Sequence, residues 1–531
     1  MSKAEYIRPN ALGDLRAEAD QKMLSVAFLE TADYRTLIET SDKAVVVGRR
    51  GTGKSALTLH LVNHWGRSSD TVVVKITPEE HQTIGLRPQV ALFGDSFTKM
   101  RAGSRLAWRY ALIMEATSSL APRYRFLDTK GYRLLEKRVK EWTSGGRDIL
   151  DRYSETLRKV VDKNLSPEER ISDLSRTLDL TQVESAFCES CKGSNTKVVF
   201  LIDRLDEGYE PDDSGTALVD GLVQAAIDLK TRISGIKPVI FLRDNIFRAV
   251  QVLDPDYSRN IEGHVLRLHW DADALFTFVT KRLRVAFNIE QEASQRIWNR
   301  CTGGDLKGRD GFNRCLQLTL YRPRDLLSLL NDAYYLAGKN GQSEIVLDHI
   351  ENTGRTISRN RLDDLKKEYD AILPGLGGYI SAFHGCDPDM TVEDAQKLIE
   401  EILYRGSDDP HVQQDFFIME DSKSVLRGLF SIGFLGIRDG SAGTFVFCHD
   451  GRAPDREFSA PDRVLVHPCY WMALNSTRNT LDPDEAEEIY DEYDIEVSSE
   501  TPVIRNAKIR ELVAQLDKIE EGTIEASRFE V

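Results

Sequence analysis

Cysteine is scarce in this chain: seven residues in 531, odd in number and scattered. That usage argues against a disulfide framework and for reduced thiols. Cys188 and Cys191 form one CxxC, but no second CxxC stands at zinc-ribbon distance. Cys448, His449, His467 and Cys469 would complete a metal site only through long-range folding, so free thiols are the expectation. Long apolar runs are missing as well. No stretch approaches 18 apolar residues, and the opening MSKAEYIRPN lacks the apolar core of a signal peptide, which predicts a soluble cytoplasmic protein with no membrane partner. Positive charge is in deficit, with 70 Lys and Arg against 85 Asp and Glu and a net charge of −15. Non-specific nucleic-acid binding by the whole surface is therefore disfavoured, because counterion release rewards basic faces.

What is present begins with length. A chain of 531 residues, 41% hydrophobic, predicts three or four domains with ample core. Residues 48–57 read GRRGTGKSAL and fit G-x-x-x-x-G-K-[ST] at Gly48, Gly53, Lys54 and Ser55. The apolar run Lys43-Ala-Val-Val-Val47 stands before them and a helical stretch, Ala56 to Trp65, follows, which is the strand-loop-helix context the motif needs. Gly48, Gly51 and Gly53 let successive N–H groups curl around an anion, with Thr52 and Ala56 completing the loop. Lys54 is placed to bridge terminal phosphates and Ser55 to ligate Mg²⁺. ATP or GTP is the implied ligand.

The matching carboxylates are expected at the end of a second strand. KVVFLIDRLDE, 197–207, supplies Asp203 as the metal anchor with Ser55, and Asp206 and Glu207 as alternative general bases that orient water. Apolar runs at 43–48, 71–77, 197–203, 237–242 and 264–270 alternate with helical stretches and predict a parallel sheet in an α/β layer fold. A helical insert at about 84–195 separates the second run from the third. Within it, residues 98–170 carry 17 Lys and Arg against 10 Asp and Glu, a local basic excess through which nucleic acid could bind.

On the GRRGTGKSAL loop and the DRLDE strand end, the first 340 or so residues resemble the additional-strand (ASCE) class of P-loop NTPases, within it the AAA+ and STAND ATPases of initiator and KAP/NACHT type. The resemblance implies ATP with Mg²⁺, hydrolysis, and assembly into a homo-oligomer. Arg204 stands where the AAA+ pattern has its catalytic glutamate. FLRDN places Arg243 or Asn245 as a sensor of the terminal phosphate, and DYSRNIEGH places Arg259 where a neighbouring subunit's nucleotide is reached. YRPRDLLSLLNDAYYLA, 321–337, resembles a lid helix in which Arg322 or Arg324 faces phosphate. Beyond it, helical segments 344–371 and 392–404, then DSKSVLRGLFSIGFLGIRDG and two β runs, outline a winged helix. Its helix at 421–433 offers Lys423 and Arg427 but is preceded by Asp415, Glu420 and Asp421, so a protein-interaction role is preferred there over DNA docking.

The expected layout is thus an N-terminal helical region over 1–42, amphipathic at 11–39; a P-loop core over 43–290; a helical lid over 291–342; a helical and winged-helix-like domain over 343–475; and a tail over 476–531. In the tail, 481–500 hold 10 acidic residues and no basic one, and 508–522 read as a docking helix. The layout also resembles stand-alone bacterial P-loop ATPases associated with antiviral defence, which implies a switch controlling a separate effector protein. A DNA-engaging loader or remodeller is the competing reading, and a metabolic kinase fits poorly.

Overall fold

All five apolar runs become strands of one parallel sheet: β1 (Val45–Gly48), β2 (Thr71–Ile76), β3 (Lys197–Ile202), β4 (Ile236–Arg243) and β5 (Val265–Arg267), in spatial order β2-β3-β4-β1-β5. The computed structural model describes residues 9–478 apart from 255–256, 258–260, 371–372, 374, 406–420, 439–444, 449–457 and 460–461. Strands in the middle of a parallel sheet are covered on both faces, so they read as unbroken apolar runs rather than alternating ones. Val45, Val46 and Val47 show this, each at most 1% exposed. β1 pairs with β4 on one side, Val47 opposite Leu242, and with β5 on the other, Val46 opposite Leu266. The sheet therefore ends β1, β3 and β4 along one edge, where their C-terminal residues can converge.

Helix α1 (Lys54–Gly66) follows β1, and α2 (Phe97–Leu120) is the longest helix of the insert, which runs as seven α-helices from Glu80 to Ser194 between β2 and β3. α3 (Asp213–Arg232) packs along α2 and returns the chain to β4, after which α4 (Asp244–Leu253) begins. Arginines of α2 meet acids far away in sequence. Arg105 pairs with Asp228 at 2.7 Å, and Arg109 Nε donates to Glu184 at 2.8 Å. The Arg101 guanidinium pairs with Asp254, and Arg152 with Glu115 at 2.8 Å. Part of the basic excess over 98–170 is thus met inside the fold, while Arg133, Lys137 and Lys140 stay largely exposed beside acids of the same window.

α5 (Ala272–Ala286), the helices Ser294–Cys301 and Gly308–Gln317, and α6 (Pro323–Lys339) enclose a second core of Leu275, Trp298, Phe312, Leu326 and Leu330. Leu12 belongs to that core. The N-terminal helical region consists of two short helices, Gln21–Ala27 and Ala32–Glu39, joined by an extended link. Its anchor is a buried pair, Arg282 with Asp20 at 2.7 Å, while Leu12 N–H donates to Asn331 Oδ1 at 2.9 Å.

α7 (Leu347–Tyr369) leads to the C-terminal unit. There strands β6 (Asp389–Thr391), β7 (Leu435–Arg438), β8 (Phe445–Phe447) and β9 (Arg463–Val466) form an antiparallel sheet in the order β6-β9-β7-β8, and α8 (Ser422–Ser431) precedes β7. Asp421 caps α8, its carboxylate accepting Ser424 N–H at 2.7 Å. The expected tail elements at 481–500 and 508–522 lie outside the described residues, as do Asp415, Glu420 and His449. All seven cysteines are free thiols, and among the described residues no cluster of His, Cys, Asp and Glu suits a metal and no helix is long and apolar enough to cross a membrane.

Candidate functional site

β1 delivers Gly48 to the sheet edge, and the next five residues turn back before α1 starts at Lys54. Gly51 and Gly53 adopt φ of +92° and +94°, a region that side chains with a Cβ enter only at a cost. At Gly48 a Cβ would lie 2.6 Å from Thr52 Oγ1, which donates to Arg49 O at 2.9 Å and ties the loop. Lys54 folds back over this loop, its ammonium donating to the carbonyls of Gly48 at 2.5 Å and Arg49 at 2.9 Å. Burial pushes its pKa down to about 8, opposed by the nearby charge of Asp206. Loop N–H groups and the start of α1 together make an anion cradle.

β3 ends beside it. Asp203 accepts from Thr58 Oγ1 at 3.3 Å and from the Ser55 hydroxyl, and its burial raises the carboxyl pKa. The chain then turns through Arg204, which takes φ of +65° as its N–H donates to Asp203 Oδ1 at 2.9 Å. That turn swings Asp206 and Glu207 back toward the loop. Arg243, at the end of β4, pairs with Asp206, while Arg204 pairs with Glu18 and lies 3.6 Å from Glu207. The expected metal ligands fit Mg²⁺: Ser55 and Asp203 touch each other and offer only oxygen, the donor type this hard cation takes alongside phosphate oxygens.

Loop and carboxylates open into one cavity of about 280 Å³. Every expected loop residue from Gly51 to Ala56 lines it, with Asp203, Asp206, Glu207, Arg243 and Arg324. Arg324 arrives from the first turn of α6, its N–H donating to Gly51 O at 3.3 Å, and burial lowers its pKa. Two expected phosphate contacts are not on this wall. Arg322 is buried behind the loop, donating to Arg50 O at 3.1 Å beside Glu368, because the helix start turns successive side chains to opposite sides. Asn245 points away to α7, its amide donating to Glu368 O at 3.1 Å. Of the sensor candidates, Arg243 alone reaches the cavity. Arg259 lies outside the described residues.

The apolar end of the cavity carried no motif. Phe28 and Leu29 from the N-terminal link, Trp270 after β5, and Pro323 and Leu327 of α6 build it. Trp270 Nε1 donates to Thr52 O at 3.0 Å, so the same residue walls the cavity and braces the glycine loop.

The profile of the FunZ-associated C-terminal helical domain matches residues 273–366, from α5 into α7. The 80.3 kDa transposon gamma-delta protein of Escherichia coli K12 is 45% identical over 526 residues, which cover 98% of this chain and 75% of that protein. Allergen Alt a 2 of Alternaria alternata is 47% identical over 184 residues, 34% of this chain and 97% of the allergen. Among solved structures, Cdc6p from Pyrobaculum aerophilum covers 92% of this chain and 96% of its own at 14% identity, but the TM-score of 0.31 is too low to bear on the fold.

Proposed function

The chain belongs to the family of the transposon gamma-delta 80.3 kDa protein, and we propose that it is a P-loop ATPase that binds ATP with Mg²⁺, hydrolyses it, and works as a switch. One observation carries the reading: the glycine loop with Lys54 and Ser55 faces Asp203, Asp206 and Arg243 across a single cavity whose other wall is the start of α6. Lys54 exchanges the carbonyls of Gly48 and Arg49 for phosphate oxygens. Ser55 and Asp203 hold Mg²⁺, which when bound neutralises phosphate charge. Asp206 or Glu207 orients the attacking water, and Arg243 and Arg324 sit where terminal charge develops.

The loop touches both other units, Gly51 through Arg324 and Arg49 through the C-terminal sheet unit, so occupancy is coupled to their placement. The finer reading is an ATP-dependent homo-oligomer, with Arg259 acting on a neighbour, that regulates a separate effector in bacterial antiviral defence. Layout resemblance supports that context. The competing reading, a DNA-engaging ATPase, draws support from the relative's name, which ties that protein to a transposon. Titration calorimetry with ATP and Mg²⁺, phosphate release, and solution mass with and without ATP and duplex DNA test these together. Binding that survives Lys54→Ala would sink the site. Assembly on ATP alone favours the switch, and a salt-dependent shift only with duplex favours DNA engagement.

A further inference from the structure

Besides the glycine loop and its carboxylates, the cavity is lined by charged residues, Asp14, Arg16, Glu18, Asp20 and Arg282, and by an apolar set that has a carboxylate in its midst. Asp33 lines it, in the company of Phe28, Leu57, Leu268 and Trp270. The position is built rather than incidental. Asp33 sits in the first turn of the helix Ala32–Glu39, whose cap Thr31 accepts Tyr34 N–H at 3.3 Å, so the helix start favours its negative charge. Tyr34 and Leu37 of that helix are buried with Leu57, Leu61 and Trp65 of α1, and Phe28 stacks on His60 of α1 with ring centroids 3.5 Å apart.

The wall is also fixed relative to the glycine loop. His269, just past β5, donates its backbone N–H to Asp33. Its neighbours on either side hold the loop region: Leu268 N–H donates to Val47 O at 2.8 Å, and Trp270 Nε1 to Thr52 O. Burial and the His269 N–H are the influences on Asp33, with no arginine or lysine among them. A carboxylate has room for about four hydrogen bonds, and one that faces an apolar wall demands donors. Burial raises its pKa to about 6, so at neutral pH it is chiefly an acceptor-only carboxylate.

We infer that Asp33 reads the nucleobase, accepting a hydrogen bond from the exocyclic amine of a purine, with adenine N6 as the assigned donor. The inference rests on the proposal that this cavity binds a nucleoside triphosphate. It adds a specificity residue outside the phosphate-binding loop. A base without that amine leaves the carboxylate desolvated with the His269 N–H as its donor and its remaining acceptor positions unmet, and the site rejects it.

The test compares two ligand pairs that each differ by one exocyclic amine: ATP against purine riboside triphosphate, and GTP against ITP. Wild type, Asp33→Ala and Asp33→Asn are titrated with all four and with inorganic tripolyphosphate, which lacks a base. The wild type should prefer ATP over purine riboside triphosphate by roughly ten- to a hundredfold, the worth of a buried bond to a charged acceptor. Asp33→Ala should bring that ratio near one and leave tripolyphosphate affinity unchanged, which also certifies a folded phosphate end. A ratio that survives Asp33→Ala overturns the inference, as does a wild type with no preference in either pair. A preference confined to GTP over ITP that Asp33→Ala removes keeps the amine and overturns adenine. Failure of all nucleotides and of tripolyphosphate to bind in a Lys54-dependent way would instead remove the underlying site.

Discussion

Arg49 Nη1 donates to the carbonyl of Ile432 at 2.8 Å, joining the anion-cradling loop to the C-terminal sheet unit across 383 residues of chain. Its Nη2 reaches Ser431 O at 3.1 Å and Cys448 O at 2.6 Å. Ser431 and Ile432 close α8, where exposed carbonyls attract a cation. Gly433 follows with φ of +73°, and a Cβ there would stand 2.7 Å from Nη1. Arg49 is 3% exposed, so its removal takes a buried donor from the carbonyls of Ile432 and Cys448, while Ser431 O keeps Arg248 Nη2 at 2.6 Å. Arg49→Ala should lower unfolding stability by about 2–4 kcal/mol. It should also release the C-terminal unit to protease before the sheet core is cut. Unchanged melting and an unchanged digestion pattern would show that this side chain is not the joint.

A second expectation concerns pH. An ordinary lysine stays charged to beyond pH 10, but the Lys54 pKa is lowered to about 8 by burial. Below that value the empty site already carries the ammonium that phosphates need. Above it, binding must take up a proton, so affinity falls as pH rises. Tripolyphosphate or ATP should bind roughly tenfold more weakly at pH 9 than at pH 7. The sign for folding is the reverse: between pH 8 and the unfolded value near 10.5 the unfolded chain holds a proton the native site has shed, so the empty protein gains stability as pH rises. Lys54→Arg, charged throughout, should give a flat binding profile. A flat wild-type profile would contradict the lowered pKa.

The two candidate bases are separated by their surroundings. Asp206 is the strongest charge partner of the Lys54 ammonium and is held by Arg243 at the cavity wall. Glu207 is more exposed and engages Arg204, which Glu18 also claims. Asp206→Asn should therefore retain nucleotide and lose on the order of a hundredfold or more in turnover, while Glu207→Gln loses less than about tenfold. Single-turnover phosphate release alongside equilibrium binding decides it, and the opposite ranking would move the base to Glu207.

How much of this was readable beforehand depends on the range of the interaction. The five strands were legible because burial on both faces leaves continuous apolar runs, and the loop because Gly51, Gly53, Lys54 and Ser55 act within a few residues of one another. Asp203, Asp206 and Glu207 were legible as a local turn after β3. Arg322 and Arg324 stood as alternatives because only the packing of α6 on Gly51 separates them. The roles of Asp33, Trp270 and Arg49 were invisible: each owes its position to partners hundreds of residues away, and none is a fixed residue of a spaced motif, Arg49 filling a variable place in the glycine loop. The basic excess over 98–170 overstated the free charge for the same reason, since Asp228, Asp254 and Glu184, which pair with Arg105, Arg101 and Arg109, all lie outside that window.

Glu368, near the end of α7, supplies the last test because stability and affinity should move in opposite directions. Its carboxylate accepts Arg50 N–H at 3.2 Å and lies 3.9 Å from Arg322, with only 4% of the side chain exposed. It therefore uses a donor of the glycine loop and sets a negative charge beside the place where an anion would sit. At an effective dielectric near 20, a unit charge roughly 8 Å away is worth about 2 kcal/mol. Glu368→Gln keeps the shape and removes the charge, leaving Arg322 without its counter-ion. Melting temperature should fall, because a buried guanidinium loses its partner. Tripolyphosphate and ATP affinity should nonetheless rise, by roughly three- to tenfold once side chains relax. A variant that is less stable and also binds more weakly would show that Glu368 braces the loop for the anion; tighter binding on a weaker fold would establish it as a charge that holds the empty loop in the anion's absence.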